Sequence, residues 1–378
     1  MGTNSSLRFG SRTLQTISAF AVLAGAANAC GGRAFDEATS AASTIDAGSD
    51  AVPSSSSSGG VTIDASDAAP GPKVVTWDVV SPNDGLAYDF IGIWGSATDD
   101  VYVIGNAPDG DGGASGAIYR WSNGAGGLRW RIVYESAKPF AAISGVAAND
   151  VWAIGDDLSV GFDGTAWGAR SPAFSYVRDL HGAGSNDYWV AAERGLGHFV
   201  KGASTPEGDG FSFGYGTVAV SGRGDDVYVL ESCAGCGSES TSWTLRIRSG
   251  ASWKQTWFDI YGQYNTFAGL WGAASNDVFI VGRSGEIWHW DGAAMSKQQP
   301  VPSRSLAAVW GSGKDDVFAV GGNMVLHYDG KTWTKEQLPF PSPEGGSSTV
   351  DLLDVWGASP DDVWAIGRSG ILLHRTAK

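Results

Sequence analysis

One short phrase recurs seven times along this chain, and no other feature limits the possible folds as much. It reads IWGSATDDVYVIG at 93–105, ISGVAANDVWAIG at 143–155, LHGAGSNDYWVAA at 180–192 and VSGRGDDVYVLE at 220–231. It returns as LWGAASNDVFIVG at 270–282, VWGSGKDDVFAVG at 309–321 and VWGASPDDVWAIG at 355–367. Every copy holds a glycine (Gly95, Gly145, Gly182, Gly222, Gly272, Gly311, Gly357). Every copy also holds an aspartate (Asp100, Asp150, Asp187, Asp226, Asp277, Asp316, Asp362), always preceded by Asn or Asp. Self-similarity at a period of tens of residues marks a fold of stacked supersecondary units. Residues 73–378 shared among seven copies leave about 44 each, matching the roughly 40–45 of a four-stranded propeller blade.

The copy at 306–339 shows the unit most plainly. LAAVWG (306–311) and DVFAVG (316–321) form its first two strands, MVLHYDG (324–330) the third and TWTKEQLP (332–339) the fourth. The second strands lack polar alternation, as expected of strands covered on both faces by neighbouring blades. The motif aspartate is expected to bond nearby backbone amides and close the first turn. Gly or Asn in GRSG, GGN and IGDD is expected to supply the second. Tryptophans keep register: Trp94, Trp271, Trp310 and Trp356 in first strands, Trp152, Trp189 and Trp364 in second strands, and Trp77, Trp130, Trp167, Trp253 and Trp333 in fourth strands. Such residues read as inter-blade core. The last copy stops after its third strand, ILLHRTAK (371–378), while KVVTWDVV (73–80) looks like the missing fourth. The expected fold is therefore all-β: a seven-bladed propeller over 73–378, closed by an N-terminal strand that completes the last blade and removes two sheet edges.

What precedes 73 has a different composition. Residues 1–13 are polar with Arg8 and Arg12, and LQTISAFAVLAGAANA (14–29) is short, apolar and ends in Ala27-Asn28-Ala29. That layout reads as a secretory signal peptide over 1–29. Residues 30–72, rich in Ser, Ala, Asp and Gly with SSSSSGG at 54–60, cannot bury enough apolar area to offset their ordering entropy and read as a tether. The Ala29-Cys30 junction resembles a bacterial lipobox, which implies a lipid on Cys30; ordinary cleavage after Ala29 is the other reading. Gly31 stands where an inner-membrane retention Asp would be, so the resemblance implies the outer membrane. A net charge of −15 disfavours nucleic acid.

The motif resembles the W-G-x-x-x-x-D-V-W-A-V-G units of bacterial secreted and lipoprotein propellers over all of 73–378. It is also similar to tectonin-type lectin propellers, and FDGTAW (162–167) and YDGKTW (328–333) resemble part of the Asp-box of sialidase-like propellers. Neither of these last two resemblances carries over a catalytic residue.

Candidate sites follow from register. His198, His289, His327 and His374 share one position in third strands of different blades, so they are spread round the ring and cannot converge on one metal. His181 replaces a first-strand Trp. Cys233 and Cys236 read as a local disulfide in an exported chain. ProAspGlyAspGlyGly (108–113) lacks the spacing of a calcium loop. No G-x-S-x-G, H-E-x-x-H or convergent carboxylate pair points to catalysis, a metal or a cofactor. The turns between second and third strands bring Arg194, Arg283 and Arg368 to one face, and the connectors between blades add Tyr134, Tyr176, Tyr261 and Tyr264. Aromatics with arginines stack on sugars and pair with carboxylates or sulfates. The expected role is a monomeric, non-catalytic recognition module at the cell surface, lipid-anchored or secreted, binding a glycan or an envelope protein. The alternatives are a sialidase-like polysaccharide hydrolase and a structural envelope or adhesion-complex subunit.

Overall fold

The computed structural model describes residues 74–82, 88–108, 113–123, 127, 129–170, 174–193, 195–200, 203–206, 215–233, 240–261, 267–298, 304–340 and 350–378. These fall in one compact unit, Ala68–Lys378. The signal peptide, Cys30 and the tether lie outside the described residues.

Among the described residues, twenty-eight strands form seven antiparallel four-stranded sheets. The first strand, β1 (Val75–Val79), precedes blade I, which holds β2 (Asp89–Ala97), β3 (Asp100–Pro108), β4 (Ala114–Ser122) and β5 (Arg129–Ser136). Blade II holds β6 (Ala142–Ala147), β7 (Asp150–Gly155), β8 (Leu158–Phe162) and β9 (Trp167–Ala169). Blade III holds β10 (Val177–Gly184), β11 (Asp187–Ala192), β12 (Gly195–Val200) and β13 (Ala203–Pro206). Blade IV holds β14 (Tyr215–Arg223), β15 (Asp226–Cys233), β16 (Ser240–Ser249) and β17 (Ser252–Tyr261). Blade V holds β18 (Phe267–Ala274), β19 (Asp277–Gly282), β20 (Ile287–Trp290) and β21 (Met295–Lys297). Blade VI holds β22 (Ala308–Gly313), β23 (Asp316–Gly321), β24 (Met324–Tyr328) and β25 (Trp333–Lys335). Blade VII holds β26 (Leu352–Ser359), β27 (Asp362–Gly367) and β28 (Leu372–Ala377), with β1 on its outer side. There β1 runs antiparallel to β28, Val75 opposite Ala377 and Val79 opposite Leu373.

The fold is a seven-bladed β-propeller: first strands lie innermost, and each meets those of both neighbouring blades around the ring. Second strands are buried nearly throughout, as their unbroken apolar runs require. Side chains between adjacent blades form the core, with Trp364, Ile366 and Leu372 of blade VII against Phe90, Val103 and Tyr119 of blade I.

The Trp-Gly pair inside the motif has a direct steric meaning. The indole of each first-strand Trp lies on the motif glycine of the following blade. A Cβ built on Gly95 would sit 2.5 Å from Cη2 of Trp356. The corresponding distance is 2.7 Å for Gly145 under Trp94, 2.7 Å for Gly311 under Trp271 and 2.6 Å for Gly357 under Trp310. Real Cβ atoms do not come that close, so only glycine admits the ring. Blades II, III and IV carry Ser144, His181 and Ser221 in place of the Trp. Val146 then approaches Gly182, His181 lies against Gly222, and Tyr228 from a second strand covers Gly272. The second-turn residue in the left-handed region is Asp157, Gly322, or a Ser-Gly pair (Ser284-Gly285, Ser369-Gly370), a wider choice than the Gly or Asn expected.

Gly95→Ala or Gly357→Ala should lower unfolding stability by about 1–3 kcal/mol through overpacking. Gly313→Ala, whose Cβ meets nothing within 4 Å, should stay within about 0.5 kcal/mol. Urea denaturation of the three variants checks this.

Candidate functional site

The motif aspartates do more than close the first turn, which Asp100 and Asp316 do by accepting from the Ser96 and Ser312 hydroxyls and not from backbone amides. In five blades each pairs with a third-strand side chain of its own sheet. Nε2 of His198, His289, His327 and His374 meets Oδ1 of Asp187, Asp277, Asp316 and Asp362 at 2.7, 2.5, 2.7 and 2.6 Å. In blade I, Arg120 Nε donates to Asp100 at 2.6 Å. Each imidazole also stacks on the aromatic ring two residues after its aspartate: Trp189, Phe279, Phe318 or Trp364, with centroids 3.6–4.3 Å apart. The carboxylate therefore fixes the ring nitrogen, and the imidazole becomes part of the inter-blade wall. Asp150 alone among these takes a backbone amide, that of Asn186 in the next blade, together with the Tyr188 hydroxyl at 2.9 Å. Burial opposes protonation of His327, but its hydrogen bonds to Asp316 and Glu336 prevail and raise it to about 9. The backbone-amide role expected of the motif aspartate falls instead to Asp163, Asp291 and Asp329. Each of these caps the turn between third and fourth strands by accepting two amide N–H groups.

The residues expected to form a recognition face belong to different parts of the ring. Arg283 is exposed in the 3₁₀ turn Arg283–Gly285, and Arg368 in the matching turn Arg368–Gly370. Arg368 is held between two carboxylates, its Nη1 3.0 Å from Asp89 and its Nε 3.1 Å from Asp351. Ser369 N–H also donates to Asp89, so this turn ties blade VII to the start of blade I. Tyr134 lies within β5, not in a connector. It is half-buried against Phe140 and Trp167, with centroids 6.4 and 6.1 Å away. Tyr176 is 53% exposed in a left-handed backbone conformation at φ 58°. Arg194 and Tyr264 lie outside the described residues, as does the side chain of Tyr261. Cys233 ends β15, while its side chain and Cys236 also lie outside them.

Two features escaped the sequence reading. The first is in the central channel, a cavity of about 250 Å³ lined by first strands. The residue three places before the motif glycine is Gly or Ala in five blades (Gly92, Ala142, Ala219, Gly269, Ala308) and Asp in two, Asp179 and Asp354. Each carboxylate reaches the next blade. Asp354 accepts from Ile93 N–H at 3.0 Å and from its neighbour Val355 at 2.8 Å. Asp179 does the same with Val220 at 2.9 Å and Leu180 at 2.8 Å. Burial pushes Asp179 up to about 6 and Asp354 to about 7, the latter raised further by the charge of Asp179. The amide bonds only partly offset that burial. The signal in the sequence was the break in a Gly/Ala register.

The second feature lies on the face formed by the first-to-second-strand turns, opposite Arg283 and Arg368. Arg223, ending β14, extends its Nη1 to within 3.4 Å of the Ser312 carbonyl in blade VI, across blade V. Two concavities share it. One, of about 530 Å³, is walled by Trp271, Trp310, Ser312 and Pro360. The other, of about 590 Å³, is walled by Tyr328, His289, Asp291, Lys314 and Asp315. Blade IV contributes Ser221 where blades V and VI contribute Trp271 and Trp310. An aromatic floor, a bridging guanidinium and mixed charges at the rim are the groups that fix an extended ligand by stacking and paired hydrogen bonds.

No family model matches the chain, and no curated protein does. Solved propellers do. YCF48 bound to D1 peptide aligns over 80% of this chain and 97% of its own, at 12% identity and TM-score 0.56. An extracellular domain from B. thetaiotaomicron aligns over 79% of this chain and 40% of its own, at 13% identity and TM-score 0.58. The WD40 propeller domain of Doa1 aligns over 79% and 96%, at 11% identity and TM-score 0.52. At such identities the likeness is one of fold.

The channel carboxylates yield a signed pH dependence. A buried acid whose folded pKa is raised favours folding when protonated, so its contribution is full below the unfolded value near 4 and lost as pH rises through about 7. Asp354→Asn removes that titration. Its unfolding free energy relative to wild type should therefore become more favourable by an amount on the order of a few kcal/mol between pH 4 and pH 8. Thermal unfolding at the two pH values measures it; an unchanged difference would contradict the assignment.

Proposed function

We propose that this chain is a non-catalytic recognition module working outside the cytoplasm, and that it holds a polypeptide segment of an envelope partner in the basin around Arg223. The observation carrying this reading is the bridging of two open concavities by one guanidinium over the Trp271–Trp310 floor. By contrast, the four recurrent histidines and their aspartates are engaged within their own blades, Asp150 is held by blade III, and the two channel carboxylates each hold an amide of the next blade. That distribution favours binding over hydrolysis of a glycosidic bond.

Other lines support the setting. The basic, apolar and A-x-A segments of 1–29 fit export, Cys30 fits a lipid anchor and 31–72 fit a tether. Cys233 and Cys236 would then close a disulfide. Among similar folds, one solved structure is described as bound to a peptide and another as an extracellular domain. A glycan ligand is the second reading, favoured by exposed Tyr176 and Arg283 on the opposite face.

The test uses the purified full chain on an array of envelope-protein peptides and on a glycan array. Arg223→Glu should weaken peptide binding by about tenfold or more, equivalent to about 1.4 kcal/mol, whereas Arg283→Ala should leave it unchanged. Glycan binding lost in Arg283→Ala and kept in Arg223→Glu would move the site to the other face and overturn this assignment.

A further inference from the structure

The outermost strand of blade I differs from most fourth strands of the ring. β9, β21 and β25 have three residues and β13 has four, whereas β5 has eight and β17 ten. Its inner side pairs with β4, and its outer side is the edge of the sheet. Such an edge is a ready site for an added strand unless something covers it.

The two faces of β5 carry opposite chemistry. Trp130 lies opposite Trp121, and Ile132 opposite Tyr119. These side chains face blade VII: Trp121 and Trp130 pack on Trp364 at 5.6 and 5.7 Å, and Trp130 Nε1 donates to the Val80 carbonyl at 3.0 Å. Between β5 and the end of β1 remains an open groove of about 650 Å³, walled by Val79, Pro82, Tyr119, Trp121, Trp130 and Ile132, with Arg129 and Arg131 also in its lining. Val79 is 51% exposed and Ile132 36%.

The other face belongs to Arg129 and Arg131. Arg131 lies opposite Arg120, whose guanidinium covers Tyr102 and Phe162 on the blade II side. Arg120 is paired with Asp100, but neither Arg129 nor Arg131 meets a carboxylate among the described residues; Arg131 reaches only Ser122 Oγ at 3.3 Å. Two uncompensated cations beside an exposed apolar groove are notable in a chain of net charge −15. The register shift between Ile118 and Tyr119 leaves Val133 without a cross-strand partner, and this bulge ends the regular edge after Ile132.

We propose that the outer edge of β5 accepts an extended strand from an anionic protein partner. In an added strand, successive side chains point to opposite faces. One set would cover Trp130, Ile132 and the groove, and must be apolar. The other would lie beside Arg129 and Arg131, and must be acidic. The ligand class is thus a segment alternating Val or Ile with Asp or Glu over about four to six residues, held by main-chain hydrogen bonds with charge selecting the partner. This surface is separate from the Arg223 basin, and either can fail without the other.

The experiment titrates the full chain with a soluble peptide alternating Val and Glu, its Lys-for-Glu counterpart, and the Glu peptide N-methylated on alternate backbone amides. The Glu peptide should bind, the Lys peptide at least about tenfold more weakly, and N-methylation should abolish binding because it removes donors and keeps every side chain. Arg129→Glu with Arg131→Glu should reverse the Glu/Lys preference at an unchanged melting temperature. Arg223→Glu should leave the titration unaffected. Absence of Glu-peptide binding, equal binding of the N-methylated peptide, or indifference to the arginine double variant would each overturn the proposal. So would equally tight, arginine-dependent binding of a sulfated oligosaccharide, since that would reduce the edge to simple anion attraction.

Discussion

A tryptophan face resting on a glycine with no room for a Cβ is the contact on which this ring depends. It passes from blade VII to I, I to II, V to VI and VI to VII through Trp356–Gly95, Trp94–Gly145, Trp271–Gly311 and Trp310–Gly357. Each contact buries a large apolar surface where blades converge and sets how closely adjacent first strands approach. Because the same dipeptide supplies the Trp for one junction and the Gly for the preceding one, a copy cannot be changed without affecting two neighbours. This coupling accounts for recurrence of the pair; the fourth-strand tryptophans keep a second regular contact, Trp130, Trp167, Trp253 and Trp333 each packing on the aromatic two residues after the motif aspartate of the preceding blade.

Where the relay is interrupted, the ring becomes locally individual. Blades II, III and IV replace Trp with Ser144, His181 and Ser221, and their junctions are filled by Val146, the imidazole of His181 and Tyr228. Next to the blade IV substitution, Arg223 reaches toward blade VI and the surface opens into two concavities. The Arg223 bridge is thus a departure from the repeat, set over the relay tryptophans Trp271 and Trp310 and beside His289, which keep to it. The Asp–His–aromatic stacks keep to the repeat. They look chemically active one blade at a time, yet each is complete within the wall it forms.

Much of the architecture was legible because it is repeated. Seven copies of one phrase dictated seven blades, the continuous apolar runs identified buried second strands, and the placement of β23 over Asp316–Gly321 agrees to the residue with the DVFAVG segment. Local roles were harder to read. The motif aspartate follows the first turn, which suggested a turn cap, but its partner is a histidine 11 or 12 residues away on the third strand. Only pairing register brings the two together. Tyr134 was expected in a connector, but the bulge beside Ile132 extends β5 past it and turns its ring toward Trp167. Arg368 looked like a free cation because Asp89, which holds it, is 279 residues away. Asp179 and Asp354 were visible in the sequence as exceptions to Gly or Ala, but their meaning required knowing that this register lines the channel.

The Trp-on-Gly relay has a spectroscopic signature that depends on no ligand. An Hα of glycine pointing at an indole face experiences the ring current and resonates upfield of ordinary glycines. The most direct measurement is an assigned NMR spectrum of the full chain labelled at glycine. The account predicts upfield Hα resonances for Gly95, Gly145, Gly311 and Gly357, with Gly313, which has open space around it, at an ordinary position. If those four glycines resonate with Gly313, the indoles do not rest on them and the relay is not what holds the ring.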